Sequence, residues 1–125
     1  MDNVTGLDGL YSTTEDLAIF AQMMLQNGYY DREQYFSAST VKQFTASQLA
    51  ENHIELGWHT YLSESNISRN LSNTSFGYNS DNGSSVWIDP AKKMFIILLT
   101  NSDIYKTKIL IPKLREEIIK ITTDK

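Results

Sequence analysis

The 125-residue chain contains no cysteine, which excludes disulfides, thiolate metal sites and a cysteine nucleophile. It also lacks any run of basic residues, and its formal net charge is −4. That balance argues against nucleic acid as a partner. No apolar run is long enough to span a bilayer, since the longest, Met94 to Leu99, is far shorter than a membrane helix. The start shows no charged region followed by an apolar stretch and a cleavage site, so a signal peptide is not expected in it. Proline occurs only twice, leaving room for regular structure. Hydrophobic residues make up 41% and charged residues 21% of the chain. These are ordinary values for one soluble domain with a single core, here taken as residues 1–125.

What is present divides into helices followed by strands. An irregular lead-in carries turn points at Asn3, Gly6 and Gly9. Ser12 and Glu15 then offer a capping box, with Asp16 adding charge at the positive end of a helix dipole. Leu17, Phe20, Ala21, Met24 and Leu25 recur at helical spacing, and Asn27-Gly28 supplies a left-handed stop. A second helix is expected from a Ser37 cap to about Gln48, with Val41 and Phe44 facing inward. Residues 54–62 alternate apolar and polar as a strand with one buried face, and 63–75 reads as a polar loop or weak hairpin. Ser85 to Ile88 and Met94 to Thr100 read as strands joined by a turn in which Pro90 sets φ. The second of these, MFIILLT, is apolar at consecutive positions, which implies cover on both faces as in a central strand. Ile111, Leu114, Ile118 and Ile121 mark a closing helix over 109–121, with Pro112 in its first turn or kinking it. This order predicts an α+β fold, with helices packed on an antiparallel sheet of three or four strands.

Three short motifs bear on chemistry. Ser39-Thr40-Val41-Lys42 fits S-x-x-K, the nucleophile motif of serine β-lactamases and penicillin-binding proteins; Ser80-Asp81-Asn82 spells their S-D-N; and Lys106-Thr107 begins K-T-G. The first needs its Ser at a helix start, with Lys one turn later on the same face, and Ser39 and Lys42 meet that requirement locally. The third fails at Lys108, because a bulky residue blocks the close backbone approach that Gly permits. A complete enzyme of this type also needs an all-helical region for which the chain has no residues left. His53 and His59 have no third ligand at fitting spacing, so neither a metal nor another cofactor is expected. Trp58 and Trp87 read as core anchors, Glu15-Asp16 as a helix start, and Glu116-Glu117 as a solvated face. The Asn73 to Ser84 stretch reads as a polar pocket rim.

Four longer segments resemble the same superfamily in a different register. GLYSTTEDLAIFAQMMLQNG (Gly9 to Gly28), FSASTVKQF, ELGWHT and SSVWIDPAKKMFIILLTN occur in collinear order between Gly6 and Asn101. Together they resemble the C-terminal part of serine β-lactamase and penicillin-binding-protein-like hydrolases of the class C and esterase type. In that register Ser37 is a helix cap and Ser39 a first-turn residue, so STVK is a decoy rather than a nucleophile. The family's K-T-G or H-T-G then falls on Tyr78, Asn79 and Ser80, with no Lys or His at the cation position. An ungapped alternative places Ser75, Phe76 and Gly77 there. The resemblance implies ligand contacts at Tyr78, Asn79 and Asp81, and no catalytic residue in the chain. It also implies one oxyanion-hole N–H near Asp81, opposed by that residue's own carboxylate.

The resemblance places the chain in the portion of the fold whose sheet is completed by N-terminal strands beside the last strand. Met94 to Thr100 is then left with an apolar open edge. Self-association, or pairing with a chain that carries the missing half, is the expected consequence. By the same resemblance the family works mostly outside the cytoplasmic membrane. Three readings compete: a piece of a serine hydrolase acting on acylated D-amino acids or β-lactams, a non-catalytic binding or scaffold module on the same fold, and a self-contained hydrolase using Ser39.

Overall fold

A computed structural model of the chain describes residues 10–46, 56–61, 70–101 and 104–123, with side chains in the last segment from residue 108 onward. The lead-in to Gly9, His53, both ends of the expected 54–62 strand and the 63–69 loop lie outside the described residues.

Helix α1 spans Thr14–Leu25. Its cap is Thr13 rather than the expected Ser12: Thr13 has extended backbone, and its hydroxyl accepts from the Asp16 N–H at 3.2 Å. The Ser12 hydroxyl instead reaches the Thr13 carbonyl at 3.5 Å. Glu15 therefore sits one position too early for the return leg of a capping box. Its carboxyl is held below the ordinary glutamate range, first by a hydrogen bond from its own backbone N–H and then by the Thr14 and Thr13 hydroxyls. The helix ends as the sequence predicts. Asn27 (φ 55°) and Gly28 (φ 85°) are left-handed, and their N–H groups donate back to Met24 O at 3.1 Å and Met23 O at 2.9 Å, a Schellman closure.

An unforeseen hairpin follows, β1 (Tyr29–Tyr30) against β2 (Glu33–Gln34). Its two turn residues, Asp31 and Arg32, both take positive φ, the conformation of a two-residue hairpin turn, although neither is Gly. Helix α2 spans Ala38–Thr45, and Ser37 caps it by accepting from the Thr40 N–H at 3.1 Å. Val41 is buried as expected. Phe44 is not: it is 45% exposed and borders an open apolar groove with Phe20, Phe36 and Trp58.

The main sheet is antiparallel in the order β3 (His59–Thr60), β4 (Phe76–Asn79), β5 (Ser85–Asp89), β6 (Met94–Leu98). The stretch expected to be a rim from Asn73 to Ser84 thus contains a strand, with Phe76 paired to Ile88 and Tyr78 to Val86. Strand alternation sends the two sets of side chains to opposite faces. Phe76, Ile88 and partly buried Phe95 pack with Ala21, Met24 and Val41 from α1 and α2. Trp87 and partly buried Ile96 pack with Leu71 and with Ile119 of α3, which spans Ile104–Thr123. The result is a helix–sheet–helix arrangement of α+β class. Full burial of a side chain such as Ile88 stabilises it by about 2 kcal/mol.

Two expectations about these elements change. Both faces of β6 are partly covered, but the strand is an edge and not a centre: among the described residues it pairs with β5 alone. In α3 the buried stripe is Ile111, Arg115 and Ile119, while Leu114 and Ile121 are 47% and 67% exposed. Pro112 lies inside this helix, well past its first turn, because α3 begins at Ile104.

Candidate functional site

Ser39 and Lys42 are both exposed on α2. The Ser39 hydroxyl lies 2.9 Å from that of Ser37, within the cap network of a helix start. Both residues line an open cavity of about 700 Å³ between α2 and the sheet, together with Thr60, Thr74 and Ser75. Tyr78, Asn79, Ser80 and Asp81 do not line it. The structure therefore leaves S-x-x-K and S-D-N apart. Lys106 and Thr107 fall in helix α3, not on a strand.

The second cluster is built on the β4–β5 hairpin. Tyr78 is half exposed, and its ring stands 4.9 Å from that of half-buried His59 on β3. Asn79 faces the other way, and its side-chain oxygen accepts from the Trp87 indole N–H at 2.9 Å. Trp87 is 2% exposed and needs that acceptor. The indole lies over Gly77, where a Cβ would come within 2.3 Å of the Val86 carbonyl and 2.5 Å of the Trp87 ring. Ser75, Phe76 and Gly77 are all buried, whereas Tyr78 is exposed and Asn79 and Ser80 are half-buried. The second triplet is the more exposed of the two, while the first meets the α2 cavity through Ser75 and Phe76.

Residues Ser80 to Ser84 close the hairpin. The Ser80 N–H donates to Ser84 O at 2.8 Å, and the Gly83 N–H donates to Ser80 O at 3.0 Å. The Asn82 side-chain oxygen accepts from the Ser84 N–H at 3.0 Å. Thr100, just past β6, ties the turn down: its hydroxyl donates to Asn82 O at 2.8 Å and its N–H to the Ser84 hydroxyl at 3.1 Å. Asp81 is exposed at the tip. Among the described residues, the side chains at this cluster that can carry positive charge are His59, beside Tyr78, and Arg115, whose guanidinium donates to the turn; the Asp81 charge would oppose a developing anion there.

Trp58 is held between the stacked ring of Phe20 and the edge-on ring of Phe76, as a core anchor. Glu116 and Glu117 are exposed on α3. Among the described residues no group of three His, Cys, Asp or Glu side chains could hold a metal, and no helix is long and apolar enough to cross a membrane.

Two functional-looking side chains escaped the sequence reading. Asp89 is 1% exposed and accepts from the Ser72 N–H (2.7 Å), the Ser72 hydroxyl (2.6 Å) and the Lys92 N–H (3.1 Å), which makes it a loop anchor. Arg115 is 7% exposed, with its guanidinium on the β4–β5 turn. For Arg115 the available signal was its spacing of four residues from both Ile111 and Ile119.

The family described as Beta-lactamase matches residues 2–115, and the chain belongs to that family. Over 104 residues it is 36% identical to the N-acetylmuramyl-L-alanine amidase of Bacillus subtilis (strain 168). It is 35% identical over the same length to a protein of Escherichia coli (strain K12) provisionally named D-alanyl-D-alanine carboxypeptidase, and 36% identical to its counterpart in Escherichia coli O157:H7. Each match covers 81% of this chain but only 24% of the relative's length. The chain spans about a quarter of these curated relatives.

Proposed function

We propose that this chain forms the C-terminal part of a β-lactamase-like serine hydrolase and supplies one wall of its ligand site, without a nucleophile of its own. The substrates would be those that the relatives' names suggest, acylated D-alanine peptides, or the β-lactams that resemble them. The observation that carries this reading is the separation of Ser39 and Lys42 from the Tyr78–Ser80 cluster, which lines none of the cavity they share. Among the described residues the Ser39 hydroxyl meets the Ser37 hydroxyl of the helix cap, whereas a nucleophile needs a base and oxyanion donors converging on it. Tyr78 and Asn79 would then contact ligand as hydrogen-bonding groups, with Tyr78 in place of a cation. By the same reasoning the β6 edge pairs with another copy or with a chain that carries the missing strands.

Fluorescent-penicillin labelling, with nitrocefin and p-nitrophenyl ester turnover, tests the assignment on wild type and Ser39→Ala. The expected result is no covalent label on either protein. Label on the wild type that disappears in Ser39→Ala would make Ser39 a nucleophile and overturn it.

A second reading, a non-catalytic binding or scaffold module, is favoured by the Asn79–Trp87 hydrogen bond, which commits a motif position to internal structure. The coding sequence upstream of Met1 separates the two. An S-x-x-K helix followed by Tyr-x-Asn there supports the hydrolase portion; their absence supports the module.

A further inference from the structure

We propose that Arg115 is a positioning residue: from α3 it holds the Ser80–Ser84 turn in the shape that presents Tyr78, Asn79 and Asp81. This rests on the reading of that cluster as a ligand wall. The guanidinium reaches across from the helix and takes hold of the hairpin at two points. Its Nε donates to the Ser85 hydroxyl at 3.1 Å, and one terminal nitrogen donates to the Gly83 carbonyl at 3.3 Å. Ser85 is the first residue of β5 and Gly83 lies in the turn, so one rigid planar fork sets the angle between turn and strand.

The surroundings leave the turn few other positions. Gly83 has φ 91° and sits so close to α3 that a Cβ there would meet the Thr100 hydroxyl at 2.7 Å and Ile111 at 3.1 Å. Thr100 holds Asn82 and Ser84 from the β6 side. The turn is therefore clamped from two elements, and Arg115 is the charged arm of the clamp.

The choice of residue is itself informative. Arg115 stands four residues from both Ile111 and Ile119, in the middle of the stripe that buries α3. An aliphatic residue there would continue the apolar face. A buried guanidinium carries a desolvation cost that an aliphatic residue would not, and here its planar fork is directed at the turn.

The test uses the full chain, with Arg115→Met, the conservative Arg115→Lys, and Ser85→Ala, which removes the Nε partner without touching α3. Amide hydrogen exchange of Ser80, Gly83 and Ser84 reads the turn, and the amides of α1 and central β5 read the fold. Nuclear magnetic resonance titration with an N-acylated peptide ending in D-Ala-D-Ala reads the ligand wall at Tyr78 and Asn79. In Arg115→Met and Ser85→Ala the turn amides should exchange at least tenfold faster while α1 and β5 keep wild-type rates. Arg115→Lys should recover part of that protection. Peptide-induced shifts at Tyr78 and Asn79 should weaken in step with the loss.

Exchange that stays unchanged at the turn in Ser85→Ala, or rises equally through the whole sheet, would overturn the positioning role and leave Arg115 as a packing residue. If Arg115→Met does not fold, Ser85→Ala and Arg115→Lys still decide the question. Absence of peptide shifts in the wild type would count against the ligand-wall reading alone, because the exchange result judges Arg115 without any ligand.

Discussion

Asp89 shows how much a single side chain can hold. Its two oxygens accept three hydrogen bonds, two from Ser72 and one from the Lys92 N–H, and so join the 70–75 segment to the β5–β6 turn. Asp89→Asn keeps the shape but replaces one acceptor oxygen with a donor that faces an N–H or O–H. We expect a loss of about 2–3 kcal/mol, the cost of a buried donor left unsatisfied, read as a lower urea midpoint with unchanged slope. A change below about 0.5 kcal/mol, the size of an ordinary surface substitution, would show that the segment is held by other means. Nothing in the string WIDP distinguishes a buried anchor from an exposed turn carboxylate, because the partners of Asp89 at Ser72 are seventeen residues away. Arg115 escaped for a related reason: sequence periodicity counts apolar residues, so it chose Leu114 and Ile121 over a stripe with a guanidinium in its centre.

At the scale of elements, local chemistry was the readable part. The Ser37 cap, the Asn27-Gly28 stop and the β5–β6 hairpin all follow from interactions within a few residues, and the structure has them where the residues indicate. The start of α1 shows the resolution limit of such reasoning, since Ser12, Thr13 and Thr14 all carry a hydroxyl suited to a cap. Backbone geometry selects Thr13, and a cap swap tests this. Thr13→Ala should cost about 1 kcal/mol, while Ser12→Ala should fall within about 0.5 kcal/mol of wild type. Thermal unfolding of the two variants, read by circular dichroism, separates them; equal effects would mean that the two hydroxyls share the cap. The β1–β2 hairpin was not readable, because its left-handed turn residues are Asp31 and Arg32 and not the Asn-Gly pair that signals such a turn. In the candidate site, the lack of Lys and His from both candidate triplets is a plain feature of the sequence. The difference in exposure between those triplets was not readable, since it depends on packing such as that of Trp87 over Gly77.

For the molecule as a whole, the decisive feature is the outer side of β6. Met94 to Leu98 is apolar at every position and half-buried throughout, and among the described residues its backbone pairs only with β5. Leu99, just beyond, is 41% exposed. The strand itself carries no lysine or proline to blunt such an edge, and Lys92 and Lys93 precede it in the turn. The relatives are about four times as long as the matched portion, which leaves ample chain to pair there in a full-length homologue. The chain in isolation should therefore associate through this edge. Size-exclusion chromatography with light scattering should give a mass above 14.3 kDa that rises with concentration, and Leu99→Lys should shift the protein toward monomer by placing a charge beside the edge. A wild-type chain that remains monomeric at high concentration would mean that β6 is satisfied within the chain itself.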